Sequence, residues 1–340
     1  VISRVADCCF WITRYLERVD TMARLLGVSA EFHLDSSEGA VEHWKPLVIV
    51  AGAEEDFVAR VGADYLDDAE RVQDYLTWDR EQSVSIYASL SAARENARII
   101  RDVLSLEMWE QINDLWLWMN ERAARNLYAR DRDSFYDYLS KQCMLFHGIA
   151  YSTMLHEEPF VFMKLGRALE RVGQTARILD VKHHGLGDTP RDRETTDDAA
   201  VWLAILRSCS AAEPFFKSAT NALTGPKVLE FLLFEESFPR SVVHNLDRTR
   251  GLMLRGLIQD PQDTDRASWR LLERFRGELV QMEVEDVLQL GVHKVLTWIV
   301  DSQTDLCTAI HDDFLEPSMA NASTPAWSSL SARSQEQSQH

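Results

Sequence analysis

Apolar residues recur along this chain at the spacing of a helix. Ile12, Tyr15, Leu16, Val19, Met22, Ala23 and Leu26 fall at i, i+3 and i+4, which predicts a long first helix with one apolar stripe. Trp109, Ile112, Trp116, Met119 and Ala123 repeat the pattern, as do Val284, Val287, Leu288, Val295, Trp298, Ile299, Leu306 and Ile310. Alternation with a period of two is scarce, and Leu47-Val48-Ile49-Val50 is the one strand-like run. Pro159, after His156-Glu157-Glu158, reads as a helix first turn, with acids at the positive end of the dipole. Loops are expected at 35–46, 183–198 and 260–265, and the Ser-, Ala- and Gln-rich stretch 317–340 reads as a disordered tail. The expected fold class is all-α, a multi-helix bundle.

The chain also repeats itself. Residues 14–28 align with residues 167–181 at an offset of 153, with nine of 15 positions identical. At an offset of 156, Tyr75-Leu76-Thr77-Trp78-Asp79 matches Phe231-Leu232-Leu233-Phe234-Glu235, followed by Ser85 with Ser241 and Leu90 with Leu246. Two matches in the same order predict a duplicated helical unit, 1–155 and 156–316, packed as a pseudo-twofold pair. The period is too long for a solenoid.

Within the first match, four charged positions are kept in both copies: Arg14, Glu17, Arg18 and Arg24, and Arg167, Glu170, Arg171 and Arg177. On a helix, 14, 17, 18, 21 and 24 share a face opposite the apolar stripe, and Glu17 is expected to reach Arg14, as Glu170 is to reach Arg167. A solvated face tolerates drift to Lys, Gln or Asp. Retention of all four leaves two readings open. The glutamates anchor buried guanidinium forks where two helices cross, or two arginine clusters line a groove for an anionic ligand or partner.

Composition narrows the partners. The 340 residues are 46% hydrophobic and 26% charged, enough to bury a core, and the net charge of -18 opposes nucleic acid and anionic membranes. No apolar run approaches a membrane span of roughly 20 residues, and the first residues lack an apolar leader core. Cys8, Cys9, Cys143, Cys209 and Cys307 form no CxxC and read as reduced, so a cytoplasmic location is expected. Cys8 and Cys9, near Arg4 and Arg14, read as small core hydrophobes rather than activated thiols.

Other constellations are weak. Asp312-Asp313-Phe314-Leu315-Glu316 resembles an aspartate-rich metal motif, but its partner around Asn113-Asp114 and Glu121 has Leu117 where a hydroxyl is required. His183-His184 and His156-Glu157 lack partners at ligand spacing, and no phosphate loop or nucleophile elbow occurs. No metal or cofactor is expected.

On these residues the chain resembles the alpha-E family, a bacterial helical domain named for its Glu-Arg motif. The signs are Ile2-Ser3-Arg4-Val5-Ala6-Asp7, Trp11, 14–18, 23–26, 92–98, Thr153-Met154-Leu155, 165–171, 175–182 and Pro239-Arg240-Ser241. The chain departs from the family pattern at Cys8-Cys9-Phe10 and at Glu81-Gln82-Ser83. The resemblance implies association with an ATP-grasp ligase and a transglutaminase-like peptidase, hence a pathway that forms or trims amide bonds. It assigns no chemistry to the helical domain itself. The expected function is therefore a non-catalytic accessory protein that docks the ligase or holds its acidic peptide. The alternatives are an enzyme using Glu17 or Glu170 beside arginine clamps, and a homo-oligomeric scaffold.

Overall fold

A computed structural model describes residues 3–35, 44–186, 196–218 and 222–315, with side chains over 3–31, 44–181, 199–218 and 222–315. These residues are helical with no strand among them. The first run is α1 (Ser3–Asp35), α2 (Lys45–Val50), α3 (Glu54–Arg60), α4 (Ala69–Trp78), α5 (Ile86–Ile99), α6 (Leu106–Asn120), α7 (Arg122–Arg130) and α8 (Arg132–Thr153). The second is α9 (Glu158–Leu186), α10 (Thr196–Ser208), α11 (Ala212–Ser218), α12 (Gly225–Phe234), α13 (Val242–Gly256), α14 (Ala267–Val280), α15 (Val284–Leu290) and α16 (Val292–Phe314).

The two longest helices, α1 and α9, lie side by side at the centre. On α1, Cys9, Ile12, Val19, Ala23 and Leu26 are fully buried, and so is Glu17. Each such Ile, Val or Leu contributes about 1.5–3 kcal/mol by leaving water. Around α1 pack α5, α8 and α4, and around α9 pack α13, α16 and α12. The short helices exchange: α2 packs on α9, while α10 packs on α1. Both central helices run in the same direction, since Thr13 Oγ1 donates to the Met163 carbonyl at 2.7 Å and Arg18 reaches Glu170 further along. Their backbones come so close that a Cβ on Gly166 would sit 2.2 Å from the Phe10 carbonyl oxygen.

The second sequence match has a local cause. Ser85 caps α5, accepting from the Ala88 amide at 3.0 Å and donating to the Asp79 carbonyl. Ser241 caps α13 in the same way, accepting from His244 at 3.2 Å and donating to the Glu235 carbonyl. Each hydroxyl closes the turn behind it and satisfies an amide that the helix leaves unpaired.

Four expectations are corrected. Leu47–Val50 is helical, not a strand: Pro46 sits in the first turn of α2, and Leu47, Val48 and Val50 are buried. A short apolar run has no period to distinguish the two. Within 35–46, Asp35 ends α1 and Lys45-Pro46 begin α2. Of 183–198, the first four residues continue α9 and the last three belong to α10. Residues 261–265 form a 3-10 turn. Pro159 does stand in the first turn of α9. The 317–340 tail lies outside the described residues.

Candidate functional site

The Glu-Arg motifs face each other where α1 meets α9, and each glutamate binds the arginines of the other helix. Glu170 accepts from Arg18 Nε at 2.6 Å, Arg14 Nε at 2.8 Å and Gln174 Nε2 at 3.0 Å. Glu17 accepts from Arg171 Nε at 2.7 Å, Arg240 Nη1 at 2.9 Å and Arg167 Nε at 3.2 Å. The expected pairs along one helix, Glu17 with Arg14 and Glu170 with Arg167, do not form. Sequence spacing shows which side chains share a face, and that face turns inward onto a second helix. The motif is therefore not set against solvent opposite an apolar stripe, because α1 is buried nearly all round.

Arg24 bonds Asp20 on its own helix at 2.9 Å, and Asp20 also receives Arg240. Arg177 lies within electrostatic reach of Glu170, Arg14, Arg18 and Asp301. The aromatic ring of Trp11 lies 4.6 Å from the Arg14 guanidinium, and Tyr15 lies 5.5 Å from that of Arg18. All eight sequence candidates thus gather at one helix crossing. Arg240, Asp20, Gln174 and His147 belong to the same constellation and were not among the sequence candidates for the site, Arg240 having been read only as part of the family resemblance. At the offsets of the two sequence matches Asp20 corresponds to Gly173 and Arg240 to Val84, so a search for residues that match passes over them.

Burial and charge compete here, and charge wins for the glutamates. Burial pushes the Glu17 carboxyl up, but Arg171, Arg240 and Arg167 together hold it well below the usual carboxylate range. Glu170 is opposed by burial and held down to about 2 by Arg18 and Arg14. Arg171 goes the other way, to about 10, because burial and the neighbouring Arg167 and Arg240 outweigh Glu17. His147, whose Nε2 is 4.0 Å from Glu17, is kept neutral by burial and by the adjacent Arg167. Chemically, the crossing can brace two helices and gather cations. Neither glutamate is poised to exchange a proton near neutrality.

The remaining candidates are structural. Asp313 accepts from the Ser268 amide at 2.8 Å, at the start of α14, and Asn113 accepts from Arg94 at 3.1 Å. His156 stacks on Phe160 at 4.1 Å. The side chains of His183 and His184 lie outside the described residues. All five cysteines are buried free thiols. Among the described residues, no group of three or more His, Cys, Asp and Glu is arranged to hold a metal ion, and no helix is long and apolar enough to cross a membrane.

A family model described as "a predicted alpha-helical domain with a conserved ER motif" matches residues 1–315. The chain belongs to the Alpha-E family. The Glu17-Arg18 and Glu170-Arg171 pairs at the helix crossing are ER dipeptides of this Alpha-E domain. Uncharacterised proteins of Mycobacterium bovis and of Mycobacterium tuberculosis are 23% identical over 329 residues, which covers 88% of this chain. The chain spans about a third of their length, 36%. No solved structure matches the Alpha-E chain significantly.

Proposed function

We propose that this Alpha-E chain is a non-catalytic accessory domain that works with an ATP-grasp amide ligase, docking the enzyme or holding its acidic peptide. The observation that carries the reading is the state of the two motif glutamates. Each is buried, bound by at least two guanidinium groups and held below the ordinary carboxylate range. A general acid or base needs a pKa near the working pH, so the alternative of catalysis by Glu17 or Glu170 is disfavoured. The ligase and a transglutaminase-like protein enter through the family resemblance. The greater length of the mycobacterial relatives suits a domain that works beside others.

The reading includes descent of the two halves from one duplicated, pseudo-twofold unit. It is supported by the matching neighbours of α1 and α9, the reciprocal exchange of α2 and α10, and the twin serine caps. A cytoplasmic location is in keeping with five buried thiols, none of them in a disulfide. Co-expression of the tagged chain with the ATP-grasp ligase of its own genome tests the proposal. Retention of the ligase, with no ATP hydrolysis by the chain alone, is expected. Intrinsic ATPase or ligase turnover by the purified chain alone would establish the enzyme instead.

A further inference from the structure

The cations on the Arg171 side of the crossing outnumber the carboxylates that serve them. Glu17 and Asp20 are shared by Arg24, Arg167, Arg171 and Arg240. Lys164 and Arg248 then add two more positive charges. The charges acting on Lys164 are those of Arg248, Arg167 and Arg171, and those acting on Arg248 are Arg171 and Arg255. Neither forms an ion pair with a described carboxylate. In a chain of net charge -18, such an excess is opposite to the average surface.

The geometry makes this excess accessible. α9 and α13 run antiparallel: Gly256 lies against Val161, while Thr175 Oγ1 donates to the Arg240 carbonyl at 2.8 Å. Lys164, Arg167 and Arg171, at i, i+3 and i+7 on α9, therefore run beside the turn of α13 that carries Arg248. Arg248 is exposed and Lys164 and Arg167 are half-buried. The Lys164 ammonium is cradled on one side by Tyr151 at 4.9 Å and Phe160 at 4.8 Å. Arg167 bonds Glu17 through Nε alone, and its terminal nitrogens donate to no described group. His147 Nε2, beneath Arg167, is buried without a hydrogen-bond partner.

Folding does not demand this arrangement. At the repeat offsets Lys164 corresponds to Trp11 and Arg248 to Ala92, so the first half builds the same crossing without them. Cations packed together with too few counter-charges carry a standing repulsion that an oxyanion relieves, and planar guanidinium forks match phosphate and carboxylate oxygens.

We infer that Lys164, Arg167, Arg171 and Arg248 form an oxyanion-binding site in the groove between α9 and α13, for a ligand bearing a phosphate or a carboxylate group. The inference rests on the reading of the chain as a binding domain and names the chemistry that domain recognises. Titration calorimetry of the full chain with inorganic phosphate, and separately with succinate, tests it. Saturable binding of either anion is expected, weakened at least tenfold in the double variant Lys164→Met, Arg248→Ala at an unchanged or raised melting temperature. Binding of phosphate alone assigns a phosphate-bearing ligand, and binding of succinate alone a carboxylate-bearing one. Absence of binding by the unaltered chain, unchanged affinity in the double variant, or an equal loss in the remote control Arg60→Ala overturns the site. Retention of the ligase without any anion binding would overturn the site and leave the accessory reading standing.

Discussion

Arg18 donates to Glu170 at 2.6 Å across the contact between α1 and α9, although Glu17 precedes it on its own helix. Glu17 in turn is held by Arg171, next in sequence to Glu170. Each half thereby closes on the other through charge-assisted bonds buried from water. Removing one partner of such a pair leaves an uncompensated charge in the interior. Glu170→Ala or Glu17→Ala is therefore expected to destabilise the fold by about 3–5 kcal/mol, read from urea unfolding. Asp137→Ala, which breaks the exposed pair with Lys141, is expected to stay within about 0.5 kcal/mol of the parent.

The closeness of the central helices predicts a difference between two glycines. A Cβ at Gly166 would meet the Phe10 carbonyl at 2.2 Å, a backbone atom that cannot swing aside. Gly166→Ala is expected to cost about 1–3 kcal/mol through overpacking. At Gly173 the nearest atoms are Gln303 Oε1 at 2.7 Å and Arg177 Nη1 at 2.8 Å, both ends of flexible side chains. Relief of the glycine's backbone entropy, about 1 kcal/mol in a helix, offsets their displacement. Gly173→Ala is expected to melt within a few degrees of the parent, and differential scanning calorimetry of the two variants checks the contrast.

Acid should loosen the crossing in two stages. His147 is kept neutral in the fold, so the unfolded chain binds its proton first, and stability falls as the pH drops below 6.5. Glu170 is lowered from 4.5 to about 2, so its contribution is present above pH 4.5 and is lost as the pH falls toward 2. That shift corresponds to about 3 kcal/mol. Unfolding free energy measured across pH 7 to 3 should show both declines. His147→Asn should flatten the first and Glu170→Gln the second.

The thiols should be silent in the fold. Burial pushes Cys8 up to about 11, and Cys9 and Cys209 up to about 12, while Cys143 and Cys307 are also raised. The thiolate is the reactive form. Iodoacetamide at pH 8 is expected to leave all five unmodified in the native protein and to alkylate all five in urea, as intact-mass measurement would show.

Much of the architecture could be read from the chain, for identifiable reasons. α1 carries a strong 3.6-residue period, and the matching segment at 167–181 marked α9 as its counterpart. The eight charged candidates were found because they occur twice. Where they point was not legible, since spacing along one helix predicts neighbours on that helix and is silent about a second helix packed against it. Arg240 and Asp20 occur in one half each and left no repeat signal. Leu47–Val50 misled because four apolar residues without a period fit a buried strand and a buried helix equally. The cation excess at Lys164 and Arg248 is likewise invisible in a net charge of -18, because it arises from α9 and α13 meeting in space.

The cross-brace itself is tested most directly by two double-mutant cycles on unfolding free energy. One pairs Arg18→Ala with Glu170→Ala, and the other pairs Arg14→Ala with Glu17→Ala. Groups in direct contact couple by about 0.5–3 kcal/mol, whereas groups more than about 7–10 Å apart that share no partner add independently. The expected result is a coupling of about 2 kcal/mol for Arg18 with Glu170 and a clearly smaller value for Arg14 with Glu17, which share the buried cluster without bonding each other. Strong coupling within α1, with none between Arg18 and Glu170, would contradict the crossing as described.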